Sequence, residues 1–184
     1  MQRVYFYSDE SKDGARFVVA GVAISAHANV IRKKLLRAER SSGKGISDWH
    51  KTKDPKTRHR YLQEVLNIAQ LRDCAFSWVY EGQPGNQFEA TVTALESAID
   101  YFGQGKQCVL IHEGFTHGTR EKMKRRLKER GVEGVEVKSG SLENEPRVRL
   151  ADALAGFSRL MRSGSAQTDA LSDLRYDGWF VNLE

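Results

Sequence analysis

Cysteine is scarce in this chain. Cys74 and Cys108 stand apart in the apolar runs CAFSWVY and CVLI, and neither belongs to a CxxC or other ligand spacing, which argues against a disulfide framework or a thiolate metal centre. Their setting predicts buried free thiols, which suits a reducing cytoplasm. Zinc-type histidine spacing is also missing, since His112 and His117 match no such motif. No apolar run approaches the roughly 18 residues needed to cross a bilayer, and the opening MQRVYFYSDE has neither the charged lead nor the apolar core of a secretory signal. A soluble, cytoplasmic protein with no membrane partner is expected. No repeat, low-complexity segment or linker is visible in the 184 residues, so one domain spanning 1–184 is expected, the tail from about 163 having a polar start.

What is present is ordinary in amount. Hydrophobic residues make up 40% and charged residues 29%, which favours neither disorder nor a fibrous class. The net charge is +5 and the pI about 9.2, an excess that raises affinity for polyanions. Much of it lies in HKTKDPKTRHR (residues 50–60) and REKMKRRLKER (residues 120–130).

The patterning predicts a mixed α/β fold. RVYFYSD (3–9) and FVVAGVAI (17–24) read as strands joined through Asp13-Gly14, a dipeptide that tolerates the positive φ of hairpin turns. Weak helical periodicity spans 28–40, and a clearer helix follows Pro55, which fits a first turn, with Leu62, Val65, Leu66 and Ala69 on one face. DCAFSWVY (73–80) reads as a strand. Phe88, Val92, Leu95, Ile99 and Phe102 advance by fours and threes, an amphipathic helix. QCVLIHE (107–113) is a short continuous apolar run, as in a parallel strand buried on both faces. A basic helix over 119–130 closes at Gly131, EGVEVK (133–138) reads as an edge strand, SGSLENEPR (139–147) as a loop, and VRLADALAGFSRLMR (148–162) as a closing helix. Tyr176, Trp179 and Phe180 predict that the tail packs onto the rest.

Asp9 (with Glu10), Glu113 and Asp152 break apolar patterns at the end or in the middle of elements that read as buried. A buried carboxylate is normally paired, protonated or placed on a metal. Asp9 and Glu113 end strands, and the carboxyl ends of strands in an open α/β sheet form the usual ligand crevice. Asp152 lies in LADALAG, whose small residues would let the helix approach the sheet closely. Hard oxygen donors suit Mg²⁺ or Mn²⁺, and two such ions about 4 Å apart can clamp the attacking and leaving oxygens of a phosphodiester.

These motifs are where the chain resembles the family called domain of unknown function 3800. The resemblance rests on SDES (8–11) at the end of the first strand, LIHEG (110–114), and RLADALAG (149–156) on a late helix, and it covers nearly everything up to about residue 162. That family is similar to ribonuclease H-like proteins, so the resemblance implies a ribonuclease H-like mixed sheet with helices on both faces. It also implies Asp9, Glu113 and Asp152 as metal ligands and catalytic residues, with Glu10 as a possible fourth. The chain departs from the family where Lys12 follows DES in place of glycine and where Glu113 replaces the commoner Asp. An acid on the first helix after the sheet has no clean match, although Glu96 and Asp100 are available.

Ordinary explanations stand beside these. Asp9 and Glu10 fit a solvated turn, Glu113 fits an acid at a helix N-terminus, and Asp152 fits an ion pair with Arg149 or Arg159 on its own helix. Arg120, Lys124 and Lys128 form one ridge that could track a phosphate backbone, and Lys51 could face a scissile phosphate. Exposed surface explains both as well. Trp49 reads as core. The expected activity is that of a metal-dependent phosphodiester hydrolase acting on DNA or RNA, with nucleic acid as partner. The alternatives are a catalytically silent ribonuclease H-like module of a mobile-element or defence system and a small-molecule phosphohydrolase.

Overall fold

The computed structural model describes residues 2–82, 84–163, 171, 174 and 179–183. β1 (Arg3–Lys12), β2 (Arg16–Ile24) and β3 (Ala75–Glu81) form an antiparallel meander, and β4 (Gln107–Glu113) and β5 (Glu136–Gly140) add in parallel beside β1. The short β6 (Phe180–Asn182) pairs in parallel with β3, giving the order β5-β4-β1-β2-β3-β6. β4 is therefore interior and parallel to both its neighbours, which is why its sequence is apolar without alternation.

Helices cover both faces. α1 (Ala28–Ser42), α2 (Pro55–Leu66) and α5 (Pro146–Ser163) bury their apolar stripes against Tyr7, Val18, Ala20, Val22 and Ile24. α3 (Gln87–Phe102) and α4 (His117–Glu129) cover the opposite face, over Val4, Phe6, Phe76 and Leu110. No helix of the described residues is long and apolar enough to cross a membrane. Trp49 is core, and from the tail Trp179 is buried and Phe180 packs against the core, whereas Tyr176 lies outside the described residues. Cys108 is buried and Cys74 half-buried, both as free thiols.

Three local expectations change. Gly14 does not take a left-handed φ; the Asp13 carboxylate instead accepts the backbone N–H groups of Ala15 and Arg16 at 2.8 Å each, an Asx-type turn that holds the hairpin. β5 begins at Glu136 instead of residue 133 and runs on to Gly140, because Gly134, at φ 71°, turns the chain just before it. The small residues of α5 serve the loop between α1 and α2 as well as the sheet: a Cβ on Gly156 would stand 2.1 Å from the Trp49 ring.

α5 is fixed from outside the sheet. Arg149 makes a bidentate pair with Glu39 of α1, at 2.6 and 2.8 Å, with both side chains almost wholly buried, and donates to the carbonyl oxygens of Leu142 and Glu143. This holds the helix that carries Asp152 at a set position along α1.

Candidate active site at the ends of β1 and β4

Alternation along the strands decides which side chains can meet. On β1, Phe6 enters the α3–α4 layer and Tyr7 the α1–α2–α5 layer, so the two-residue period sends Asp9 to the side of Tyr7 and Glu10 to the side of Phe6. On β4, Leu110 faces α3 and α4, which sends His112 to the same side and Glu113 to the other. Ser8 pairs with His112 in the parallel register, so one step further Asp9 stands beside Glu113. α5 packs over this face of β1 and β2, bringing Asp152, itself buried, to the same edge. The structure thus brings Asp9, Glu113 and Asp152 together and turns Glu10 away.

All three carboxyl groups are pushed up from their ordinary range. Asp9 is raised strongly, first by burial, then by the charge of Asp152 and less by Glu113 and Glu10; the Glu10 N–H, at 2.7 Å, works in the opposite sense. Burial is also the leading cause for Glu113, with Asp152 and Asp48 adding to it against His112. Asp152 is raised by burial and by Asp48, against the backbone N–H of Trp49, which donates to Oδ2 at 2.6 Å, and the nearby His50 and Lys44 side chains.

The ordinary explanations for these acids do not describe this arrangement. Arg149 is engaged with Glu39, and Arg159 bonds Ser11 and Asp13, so both arginines are committed away from Asp152. Glu113 does not cap α4, whose cap is Thr116. Asp9 does not end the first strand as expected: β1 runs on to Lys12 because Asp9 to Lys12 stay paired with β2, so Asp9 lies within the strand, ahead of the turn at Asp13.

Glu10 has its own environment. Its Oε1 accepts the buried Thr91 hydroxyl and lies 3.6 Å from His112 Nε2, while His112 Nδ1 meets Ser8 Oγ at 2.8 Å. Burial would raise this carboxyl, but hydrogen bonding and charge from His112, the Thr91 hydroxyl and Lys12 outweigh it and hold it below its usual range. Glu10 is therefore a satisfied, ionised group behind the edge.

Asp48 is the acid that sequence reading missed. It lies in the connection between α1 and α2, directly before Trp49, whose backbone is anchored on Asp152, and its charge is felt by both Asp152 and Glu113. Within SDWH nothing separates it from a polar turn residue; only the contact across 103 residues reveals it. Glu96 is paired with Arg130 at 2.7 Å, and Asp100 is exposed, so neither supplies the missing acid.

The basic candidates divide. Lys51 is at the edge, 2.6 Å from Asp48 Oδ2. Arg120, Lys124 and Lys128 are not gathered there: their helix, α4, packs through Met123 and Leu127 on the other face of the sheet. Lys124 pairs with Glu121 at 2.8 Å, and Lys128 lies about 12 Å further along the helix axis than Arg120 at 1.5 Å per residue.

A set of hard oxygen donors on one face, each raised by burial and by another carboxylate, has the chemistry of a Mg²⁺ or Mn²⁺ site. Among the described residues, no three His, Cys, Asp or Glu side chains are arranged to hold an ion as they stand. Gathering around a cation would therefore take side-chain rotation at the edge.

The layered arrangement defines a ribonuclease H-like α/β fold. A solved structure with this fold is that of the PCNA:RNase HII complex from Archaeoglobus fulgidus, to which the chain is 18% identical, with a TM-score of 0.52 over 94% of this chain and 87% of that one. At that identity the likeness establishes the fold. No family model matches the sequence, and no curated protein matches it.

Proposed function

We propose that this protein is a metal-dependent phosphodiester hydrolase, a nuclease acting as one domain on DNA or RNA, and that it belongs with the domain of unknown function 3800 proteins it resembles. The observation that carries the reading is that Asp9, Glu113 and Asp152 share one face of the sheet, where the charge of Asp152 raises the proton affinity of both Asp9 and Glu113. Carboxylates that repel one another while buried are stabilised by a bound cation. Asp9, Glu113 and Asp152 would hold Mg²⁺ or Mn²⁺, which when bound supplies charge stabilisation and an activated water for phosphodiester hydrolysis. Glu10, kept ionised by Thr91 and His112, orients groups behind the ligands. Lys51 meets phosphate at the edge, and Arg120, Lys124 and Lys128 contribute sequence-independent attraction for the rest of a polyanion.

The test is incubation with labelled DNA, RNA and hybrid duplexes in Mg²⁺ or Mn²⁺. Cleavage is expected with the wild type and abolished in Asp9→Asn and Asp152→Asn; cleavage that survives both substitutions refutes the assignment. A second reading, a catalytically silent nucleic-acid or protein binding module, is favoured by one observation: the side chains as they stand do not converge as a ligand set. Calorimetry with Mn²⁺ separates the two, because a silent module gives no heat that depends on Asp9.

A further inference from the structure

Two stretches carry much of the positive charge, and the fold treats them differently. On α4, Lys124 pairs with Glu121, Arg125 with Glu129, and Arg126 and Arg130 with Glu89, so much of that charge is met within the α3–α4 layer. Residues 50–60 hold five basic side chains, Lys51, Lys53, Lys56, Arg58 and Arg60, against one acid, Asp54. Asp54 is occupied as the N-cap of α2, accepting the Lys56 and Thr57 amides and the Thr57 hydroxyl. Lys53, Lys56 and Arg60 are exposed, and among the described residues no carboxylate pairs with them. Arg60 lies back along the helix, its Nε 3.4 Å from the Lys56 carbonyl oxygen, and with Pro55, Lys56 and His59 it lines a cavity of about 330 Å³.

This surface adjoins the candidate edge. α2 buries Tyr61, Leu62 and Val65 in the layer that also contains α5, which turns Lys56 and Arg60 outward, about 6 Å apart along the axis at 1.5 Å per residue. Its first turn is tied to the edge through Arg58, which donates to the Trp49 carbonyl oxygen at 2.9 Å, while the Trp49 N–H reaches Asp152. Lys53 stands between, in a tight turn where its N–H donates to the Lys51 carbonyl oxygen at 3.0 Å and Thr52 donates to that of Asp48. The basic stripe stops one turn beyond Arg60 at the exposed Glu64, so it occupies the half of α2 nearest Asp152. Because the Lys56 and Thr57 amides are already capped, an anion is met here by side chains and not by the helix terminus.

Resting on the reading above that the edge meets nucleic acid, we propose that α2 guides the strand to it. Lys53, Lys56 and Arg60 contact neighbouring phosphates of the backbone and carry more of the binding than the α4 ridge of Arg120, Lys124 and Lys128. Contacts of this kind position a strand without reading its sequence. Their affinity comes mainly from the release of counterions, so the surface binds whether or not the edge holds a cation.

The experiment titrates the full chain, in EDTA, into fluorescently labelled single-stranded DNA and RNA oligonucleotides of one sequence, with anisotropy read across a series of salt concentrations. The triple variant Lys53→Gln, Lys56→Gln, Arg60→Gln changes only exposed positions and is expected to melt like the wild type. It should lose at least about tenfold in affinity at low salt and flatten the slope of log affinity against log salt by about 2, at roughly 0.7 per phosphate contact. The triple variant Arg120→Gln, Lys124→Gln, Arg130 being left intact, and Lys128→Gln should lose less than about threefold. Equal losses from the two variants, an unaltered slope in the α2 variant, or no binding of either oligonucleotide overturns the proposal. So does tighter binding of poly-glutamate than of both oligonucleotides, which would assign the surface to an acidic protein partner. The outcome is separable from the nuclease reading, because no metal is present. Binding that depends on α2 without any Mn²⁺-dependent cleavage refutes the hydrolase and leaves the surface standing, whereas Asp9-dependent cleavage with binding indifferent to α2 refutes the surface alone.

Discussion

Two groups of acids lie on opposite faces of the same sheet. On α3, Glu89 accepts Arg126 at 2.9 Å and Arg130 at 3.1 Å, and Glu96 accepts Arg130 at 2.7 Å. The Glu89 carboxyl is held below its usual range, chiefly by its hydrogen bonds from Arg126. On the other face, Asp9, Glu113 and Asp152 are raised by burial, and Asp9 and Glu113 also by the charge of Asp152. A fold that only needed stability would arrange the second group like the first. The difference teaches that charge balance, rather than acid content, separates a structural network from a candidate reactive edge.

The largest effect is expected where α5 itself is held. Arg149→Met leaves Glu39 buried without its partner and should lower stability by about 3–5 kcal/mol in denaturant titrations, a large part of what a domain has. Adding Glu39→Leu to Arg149→Met should recover most of that loss, since no buried charge then remains. If the single substitution is silent, the pair does not hold α5.

Next comes chemistry at the edge. Asp152→Asn keeps the oxygen that accepts the Trp49 N–H but removes the charge, so cleavage is expected to fall by more than about a hundredfold, beyond the range for outer-shell groups. Fluorescence-detected cleavage with Mn²⁺ measures it.

Asp9→Asn should raise thermal stability. The sign follows from the raised carboxyl: the ionised form is disfavoured in the folded state, so the cost is absent below the ordinary value of 3.8, grows as pH rises above it, and is full once folded Asp9 has ionised. Thermal melts across pH should show a gain of a few degrees near neutrality that vanishes in acid. Saturating Mn²⁺ should reverse the ranking, because a ligand at a hundred times its Kd adds about 2.7 kcal/mol to whichever protein binds it.

The smallest effect is expected on α3. Arg126→Ala removes one of two arginines on Glu89 and should shift the melting temperature by about a degree or less, with cleavage unchanged, because exposed pairs contribute little.

The two groups also differ in how legible they were. Asp9 and Glu113 could be read because they interrupt apolar strands, and alternation alone separates Asp9 from Glu10. α3 announced itself through its spacing of fours and threes. The local signal failed where a contact was long-range. Arg149 sits three residues before Asp152 and reads as its partner, yet it reaches Glu39, 110 positions away. Asp48 occupies a stretch indistinguishable from solvated loop, and the residue that gives it a role is Asp152, met through the next residue's backbone. β6 pairs only three residues of β3 and is too short for periodicity to show.

Trp49 offers an optical consequence of its position. One of three tryptophans, it has an indole almost wholly buried against Gly156, with the Arg58 guanidinium 4.8 Å above the ring. Its own amide is fastened to Asp152. Any rotation of that carboxylate must be transmitted to the backbone carrying the ring, so with Trp78 and Trp179 replaced by phenylalanine, the emission of a single native chromophore becomes a label-free meter of what happens at the sheet edge.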